Sequence, residues 1–192
     1  MNRGRMEAFS DGVLAIIITI MVLKLNTPEN MTFLALKEIF PTFLAYVLSF
    51  IYVGIYWANH HHLVNMIDSV SGRLLWKNLH WIFWMSLIPT ATEWMGLNPY
   101  KSLPAVFYGS ILFMCAVSYN IVQAEIIKIN GAESLISQNI GNDFQGKSSI
   151  FAYAVAAAFA IYFPVVSYLI YIVIALIWIV PDSRLEKSIK FK

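Results

Sequence analysis

The feature that most constrains this chain is a charge-free run, residues 12–23, that directly follows the carboxylate of Asp11. A bilayer core is about 30 Å thick and needs about 20 helical residues, whereas this run covers only about 18 Å as a helix. A spanning helix must therefore start near Arg5, which places Ser10 and Asp11 inside the membrane boundary. An ionisable group at that depth is expensive, so it indicates a polar partner or a function.

Composition points to the same class of protein. Of the 192 residues, 59% are hydrophobic and 12% are charged, whereas soluble domains carry about 25% charged residues. We therefore expect an integral membrane protein in which one transmembrane domain occupies residues 1–192. The net charge of +2 is too small to indicate nucleic-acid binding. Cys115 is the single cysteine and lies in an apolar run, so neither disulfides nor a cysteine metal cluster is expected.

Apolar segments and helix breakers predict an all-α bundle of six transmembrane helices. The predicted helices cover residues 5–25, 41–62, 74–95, 103–129, 148–163 and 165–180. The first is expected to be a retained helix rather than a cleaved signal peptide, because residues 24–28 offer no small-residue cleavage site. Six spans put both termini on one side of the membrane. That side is the cytoplasm by the positive-inside rule, because ten Lys and Arg residues then fall in inner segments and three in outer ones.

Three polar clusters fall at the cytoplasmic third of this bundle. They contain Arg5, Ser10 and Asp11 on helix 1, Trp57 with residues 59–62 on helix 2, and Lys77, Asn78, His80 and Trp81 on helix 3. Burying Asp11 unpaired would cost several kcal/mol. We therefore expect Ser10 and Asp11 to form a network with His60 or His61, Asn78 and a Trp indole N–H. The network would act as a structural clamp, with proton sensing by a histidine as the functional alternative.

Two further carboxylates lie near the ends of predicted helices. Glu93 lies near the outer end of helix 3 and is expected at the membrane interface. Glu125 and Lys128 are spaced i, i+3 on helix 4, and this spacing predicts an ion pair at the inner surface.

Metal and enzyme chemistry find little support in the motifs. His60, His61 and His62 are adjacent, so they point about 100° apart on a helix, whereas a chelating pair needs i, i+4 spacing. The sequence contains no HExxH, GxSxG, P-loop or GxGxxG motif. Ser10 and Asp11 diverge on one helix and cannot order a base as a triad requires. We expect no enzyme, no resident metal and no cofactor.

An apolar stripe runs along helix 1. Ile16, Ile20 and Leu23 recur at i, i+4 and i+7, and Thr19 lies beside Ile16, one turn on. Such a stripe fits an ordinary helix–helix seam. It also fits rings of apolar side chains around a symmetric pore, which can gate by dewetting. Spacing alone does not choose between the two interpretations.

Three motifs resemble a known family. The sequence reads RMEAFSDG at residues 5–12, YWANHH at residues 56–61, and NLHW at residues 78–81 followed by SLIP at residues 86–89. They resemble the RxxxFSD, YWxxHH and helix-3 patterns of the transmembrane protein 175 potassium channels. The resemblance implies a six-helix subunit of the prokaryotic kind. It also implies a homotetramer in which four copies of helix 1 line a central pore that conducts potassium.

The resemblance also assigns roles to single residues. The family's constriction is the apolar residue five positions after the motif aspartate, which corresponds to Ile16. Ile20 and Leu23 would face the pore one and two turns further on, and Thr19 would supply its hydroxyl, so that potassium passes near Ile16 and Thr19. The resemblance places the remaining motif residues in the interhelical network beside the pore: Arg5, Phe9, Ser10, Asp11, Trp57, His60, His61, Asn78 and Trp81.

The sequence therefore predicts a channel that passes potassium in preference to sodium and lies in a prokaryotic cell membrane. Its expected partners are potassium ions, membrane lipid and copies of itself. A proton-coupled secondary transporter, in which Asp11 and a helix-2 histidine carry the proton, is the alternative. A purely structural membrane protein is a third possibility, and it would conduct no ions.

Overall fold

The regular structure of the chain is helical, as the composition predicts. The computed structural model describes residues 2–28, 30–67, 69–131, 134, 137 and 143–179. Within these ranges the helices are α1 (Arg3–Leu23), α2 (Phe33–Val64), α3 (Gly72–Ser86), α4 (Ile88–Leu97), α5 (Ser102–Asn130), α6 (Phe144–Phe159) and α7 (Pro164–Ile179). An isolated antiparallel β-bridge joins Asn2 to Ser69. The all-α prediction is confirmed.

Several helix bounds differ from those predicted, because side-chain caps and prolines set them locally. Helix α2 begins at Phe33 rather than at residue 41, since the Thr32 hydroxyl accepts a hydrogen bond from the Ala35 N–H at 3.2 Å. Pro41 lies inside α2. Helix α6 begins at Phe144 rather than at residue 148, because Asp143 caps it. The predicted end of the sixth helix at residue 180, and the charged tail after it, lie outside the described residues.

The predicted third helix is two helices in the structure. Helix α3 ends at Ser86 and α4 begins at Ile88, with Leu87 between them. Pro89 stands in the first turn of α4, where the missing N–H of proline costs no helical hydrogen bond. The proline therefore begins a new helix, whereas the predicted helix over residues 74–95 would have contained it in its interior.

Among the residues that the structure describes, three helices are long and apolar enough to cross a membrane, judged by length and composition. They are α1, α2 and α5, whereas α7 is a shorter apolar helix of 16 residues. Helix α1 packs against α2, α3 and α4, and α5 packs against α3, α4, α6 and α7. Helix α2 also contacts α4 and α7. Helix α2 thus links α1 to α7, and α5 links α3 and α4, which contact α1, to α6 and α7.

Close approach of α2 and α4 depends on Gly96. A Cβ atom at this position would lie 2.7 Å from the Thr42 Cα and 3.2 Å from its Cβ. The obstacle is backbone, so a side chain at position 96 forces the two helices apart. By contrast, a Cβ on Gly54 in α2 would meet nothing within 4 Å.

We predict that Gly96→Ala destabilises the protein by about 1–3 kcal/mol, the usual range for overpacking a well-packed contact. Thermal unfolding of the purified protein in detergent measures this as a lowered melting temperature. Gly54→Ala is the matched control and should be neutral or stabilising, because alanine favours a helix over glycine by about 1 kcal/mol. Equal melting temperatures for the two variants would contradict the packing argument.

Candidate functional site

Helix α1 has a buried face that carries one polar residue among apolar ones. The face contains Met6, Ser10, Leu14, Ile17 and Met21. Their spacing of three or four residues puts them on one side of the helix. Ser10 is fully buried, and its hydroxyl donates a hydrogen bond to the Met6 carbonyl at 2.9 Å. The Ser10 oxygen therefore remains available as an acceptor.

Asn78 of α3 connects Ser10 to His60 of α2. The Asn78 Nδ2 donates to Ser10 Oγ at 2.9 Å, and its Oδ1 lies 2.8 Å from His60 Nε2. Because Oδ1 only accepts, His60 Nε2 must carry the proton in this arrangement. All three side chains are fully buried. This chain of hydrogen bonds, called the Ser10–Asn78–His60 chain below, joins the first three helices.

Trp81 lies against this chain through its ring. Its indole stacks on the His60 imidazole with centroids 4.7 Å apart and an interplanar angle of 15°. The indole is fully buried, and its N–H has no acceptor within the described ranges. The expected Trp indole hydrogen bond is therefore absent there, and Trp81 contributes stacking instead.

The partner expected for Asp11 is not found among the described residues. The buried Oδ1 of Asp11 has no hydrogen-bond partner there. The helical period explains this, because adjacent residues point about 100° apart, so docking Ser10 against α3 turns Asp11 aside. Arg5 is exposed, and Trp57 is 50% exposed on α2. Neither residue joins the Ser10–Asn78–His60 chain.

Glu7, rather than the expected Asp11, pairs with a helix-2 histidine. Its Oε1 lies 2.7 Å from His61 Nδ1, and Asn65 Nδ2 donates to His61 Nε2 at 3.0 Å. The Asn65 donor makes Nε2 an acceptor, so Nδ1–H donates to Glu7. Sequence analysis missed Glu7, although its position one turn before Ser10 and Asp11 was a signal. Arg3 strengthens the same junction by donating to the Asn65 and Ile67 carbonyls at 3.2 Å.

Two ion pairs connect helices elsewhere in the bundle. Lys77 Nζ of α3 lies 2.6 Å from Glu125 Oε2 of α5. This contact corrects the prediction that Glu125 pairs with Lys128. Helix α3 packs on α5 and brings the Lys77 ammonium to the Glu125 carboxylate. At the other end of α1, Lys24 Nζ lies 3.1 Å from Glu93 Oε2.

The opposite face of α1 carries the predicted apolar stripe, and it is exposed. Ile16 is 58% exposed, Ile20 41% and Leu23 75%. Thr19 is exposed beside them, and its hydroxyl donates to the Ala15 carbonyl at 2.9 Å. Phe9 lies on the same side and is 52% exposed. Among the described helices of one chain, the stripe is therefore not a helix–helix seam.

These features define a class: a helical membrane protein whose first helix is docked on one face by buried polar groups and bears an exposed apolar stripe on the other. Groups of three or more His, Cys, Asp or Glu side chains that could hold a metal ion are not found in the part of the chain that the structure describes. The site therefore offers an apolar surface and hydroxyl groups rather than a ligand cluster.

Comparisons with known proteins agree with the motifs. Residues 5–89 match the family described as "Endosomal/lysosomal potassium channel TMEM175". A protein of Chryseobacterium sp. (strain P1-3) named "Potassium channel" is 48% identical over 190 residues, which cover 99% of each chain. A Danio rerio protein named "Endosomal/lysosomal proton channel TMEM175" is 40% identical over 111 residues, 52% of this chain and 21% of the relative.

A solved structure shares the fold. It is described as the crystal structure of a lysosomal potassium-selective channel TMEM175 homolog from Chamaesiphon Minutus. The TM-score is 0.78 over 92% of this chain and 95% of that chain, at 24% sequence identity. The chain belongs to the TMEM175 family, and the family prediction made from its motifs is confirmed.

We predict that Asn78→Leu destabilises the protein by about 1–3 kcal/mol, because it leaves the buried His60 N–H without an acceptor. The measurement is thermal unfolding in detergent, where about 1 kcal/mol corresponds to a shift of about 2–4 °C for a chain of this size. Asn98→Leu is the control, since Asn98 is partly exposed at the end of α4 and its side-chain amide donates to the Trp94 carbonyl of the same helix. A melting temperature for Asn78→Leu equal to that of the control would contradict the stabilising role of the Ser10–Asn78–His60 chain.

Proposed function

We propose that this protein is a potassium-permeable channel that favours potassium over sodium and assembles as a homotetramer around a pore lined by α1. The observation that carries the proposal is the exposure of the Ile16 stripe on a helix whose other face is buried. The relative from Chryseobacterium sp. (strain P1-3), which matches nearly the whole chain, bears the name "Potassium channel".

The two faces of α1 suit a pore-lining helix. Met6, Ser10 and Leu14 pack against the other helices of the subunit. These contacts alone keep the stripe on the subunit surface. Four copies placed around an axis would turn the four stripes toward each other. Rings of Ile16, Ile20 and Leu23 would then line the path, with Ile16 as the narrow point.

Ion permeation follows from the chemistry of those side chains. An apolar ring excludes water, so an ion must shed part of its hydration shell to pass. Potassium sheds its shell more easily than sodium, which favours potassium. Thr19 donates its hydrogen to the Ala15 carbonyl, so the hydroxyl oxygen keeps lone pairs that can face a cation. Thr19 would thus provide a polar resting position between the Ile16 and Leu23 rings.

The proposed subunit is one channel domain of six spans in a prokaryotic cell membrane, with both termini in the cytoplasm. Helices α3 and α4 would together form the third span, bent at Leu87. Helices α6 and α7 have 16 residues each, about 24 Å, which is shorter than the usual bilayer core. In this arrangement the Ser10–Asn78–His60 chain and the Glu7–His61 pair hold the proposed pore helix from outside the pore.

Proton movement is the second candidate function. The Danio rerio relative is named a proton channel, and this chain buries His60 where the carboxylates of Glu7 and Asp11 interact with it electrostatically. A proton-coupled transporter would move protons together with potassium, so a potassium gradient would change the internal pH, whereas a channel would dissipate the potassium gradient without coupled proton movement. Potassium flux from liposomes that start at equal pH on both sides and contain a pH-sensitive dye separates the two functions.

We predict that Ile16→Asn increases potassium flux into liposomes and lowers the preference for potassium over sodium, because a polar side chain hydrates the constriction. Ile177→Asn is the matched control, since Ile177 is 54% exposed on α7 and lies outside the proposed pore. The assay is cation flux from proteoliposomes with potassium or sodium gradients. No potassium flux from the unmodified protein, or equal effects of the two substitutions, would refute the proposed pore.

We also predict that chemical crosslinking of the protein in detergent gives a ladder ending at the mass of four copies. Several copies around an axis are required because a single chain leaves the stripe open and cannot enclose a path, and the family resemblance sets the proposed number at four. Size-exclusion chromatography with light scattering, corrected for bound detergent, checks the same number. A monomer by both methods would exclude a central pore.

A further inference from the structure

A cluster of basic side chains lies where the start of α3 packs against the end of α5. Lys77 Nζ of α3 lies 2.6 Å from Glu125 Oε2 of α5. Arg73 precedes Lys77 by one turn on α3, and Lys128 lies in the last turn of α5. Both of these residues also interact electrostatically with the Glu125 carboxylate. Three cations therefore share one carboxylate.

Positive charge remains at this cluster after the ion pair has formed. Glu125 is buried, and its close ion-pair partner is Lys77. Arg73 and Lys128 are both exposed, and among the described residues neither forms an ion pair with a carboxylate. The cluster thus presents a guanidinium and an ammonium to its surroundings, and both groups favour an anion such as a phosphate.

An exposed aromatic face continues from the cluster along α3. Trp76 follows Arg73 by three residues and is 73% exposed, and Phe83 is 54% exposed. Trp76 and Phe83 are seven residues apart, so they lie on the same side of the helix. Tryptophan is enriched where a membrane meets water. The surface therefore combines cations at the helix ends with aromatic side chains directed along the bundle.

We propose that this surface binds an anionic phospholipid, with its phosphate held by Arg73 and Lys128 and an acyl chain along Trp76 and Phe83. A guanidinium binds a phosphate through two parallel hydrogen bonds, and an ammonium adds a point charge. Basic pockets between membrane helices bind anionic headgroups in the same way. A soluble phosphate would leave the aromatic face uncovered, so the lipid is the better match.

The test measures equilibrium binding of radiolabelled phosphatidylglycerol to the full chain, freed of lipid and held in a nonionic detergent. Unlabelled phosphatidylglycerol should displace the label at least about tenfold more effectively than phosphatidylcholine with the same acyl chains, because the choline group offsets the phosphate charge. This comparison uses the unmodified protein, so it does not depend on a variant that folds. It also needs no ion flux, so its outcome is independent of the proposed channel function.

Two double variants locate the site. Arg73→Gln with Lys128→Gln should weaken phosphatidylglycerol binding at least about tenfold, and it keeps the ion pair that joins α3 to α5. Lys37→Gln with Lys101→Gln is the matched control, because it removes two exposed cations outside the cluster. The control should bind phosphatidylglycerol as the unmodified protein does. Equal losses in the two double variants would overturn the proposal.

Competition separates the lipid from other occupants. At constant ionic strength, inorganic phosphate should displace the label only at concentrations at least about a hundredfold above those of phosphatidylglycerol, because it gains nothing from the burial of an acyl chain. Displacement by phosphate and lipid at equal concentrations would overturn the lipid assignment in favour of a soluble anion. If a neighbouring copy of the chain covers the aromatic face instead, the two lipids should compete equally, which would also overturn the proposal.

Discussion

The burial of polar groups within apolar surroundings is the constraint on which this bundle depends. A buried donor or acceptor without a partner costs free energy, so every such group restricts how the helices can pack. In the Ser10–Asn78–His60 chain His60 Nε2–H donates to Asn78, Asn78 donates to Ser10, and Ser10 donates to the Met6 carbonyl, while His60 Nδ1 has no partner among the described residues. The first three helices can satisfy these groups together only in one relative position. The chain therefore specifies the packing more sharply than apolar contacts alone could.

Docking Ser10 against α3 also decides where the rest of α1 points. An α-helix repeats every 3.6 residues, so the rotation that buries Ser10 buries Leu14 and Ile17 as well. The same rotation leaves Ile16 and Thr19 exposed on the surface of the subunit. The properties of the exposed face are thus a consequence of the polar contact on the opposite face. A substitution in the Ser10–Asn78–His60 chain should therefore alter the orientation of the Ile16 stripe as well as the stability of the protein.

The fold and part of the site could be predicted because they depend on local properties of the chain. Apolar composition predicts helices, and motif spacing drew attention to Ser10, His60 and Asn78 before any contact was known. Pairings between helices could not be predicted in the same way. Lys77 pairs with Glu125 because α3 packs on α5, and sequence spacing on α5 alone pointed to a different partner. Pro89 was expected inside one helix over residues 74–95, and sequence alone did not show that Leu87 would separate two helices there.

The positions of charged and neutral polar groups in the bundle follow the cost of burying charge. The Lys24–Glu93 pair retains access to solvent, and the buried Glu125 carboxylate is paired with the Lys77 ammonium. Elsewhere the buried middle uses hydroxyls such as Thr92, which donates to Ser49 Oγ at 2.7 Å. Asp11 departs from this pattern, because one of its oxygens is buried without a partner among the described residues. The rotation that docks Ser10 on Asn78 also fixes the position of Asp11, because the two residues are adjacent on one helix. The cost of the unpaired Asp11 oxygen is therefore set against the stabilisation that the Ser10–Asn78–His60 chain provides.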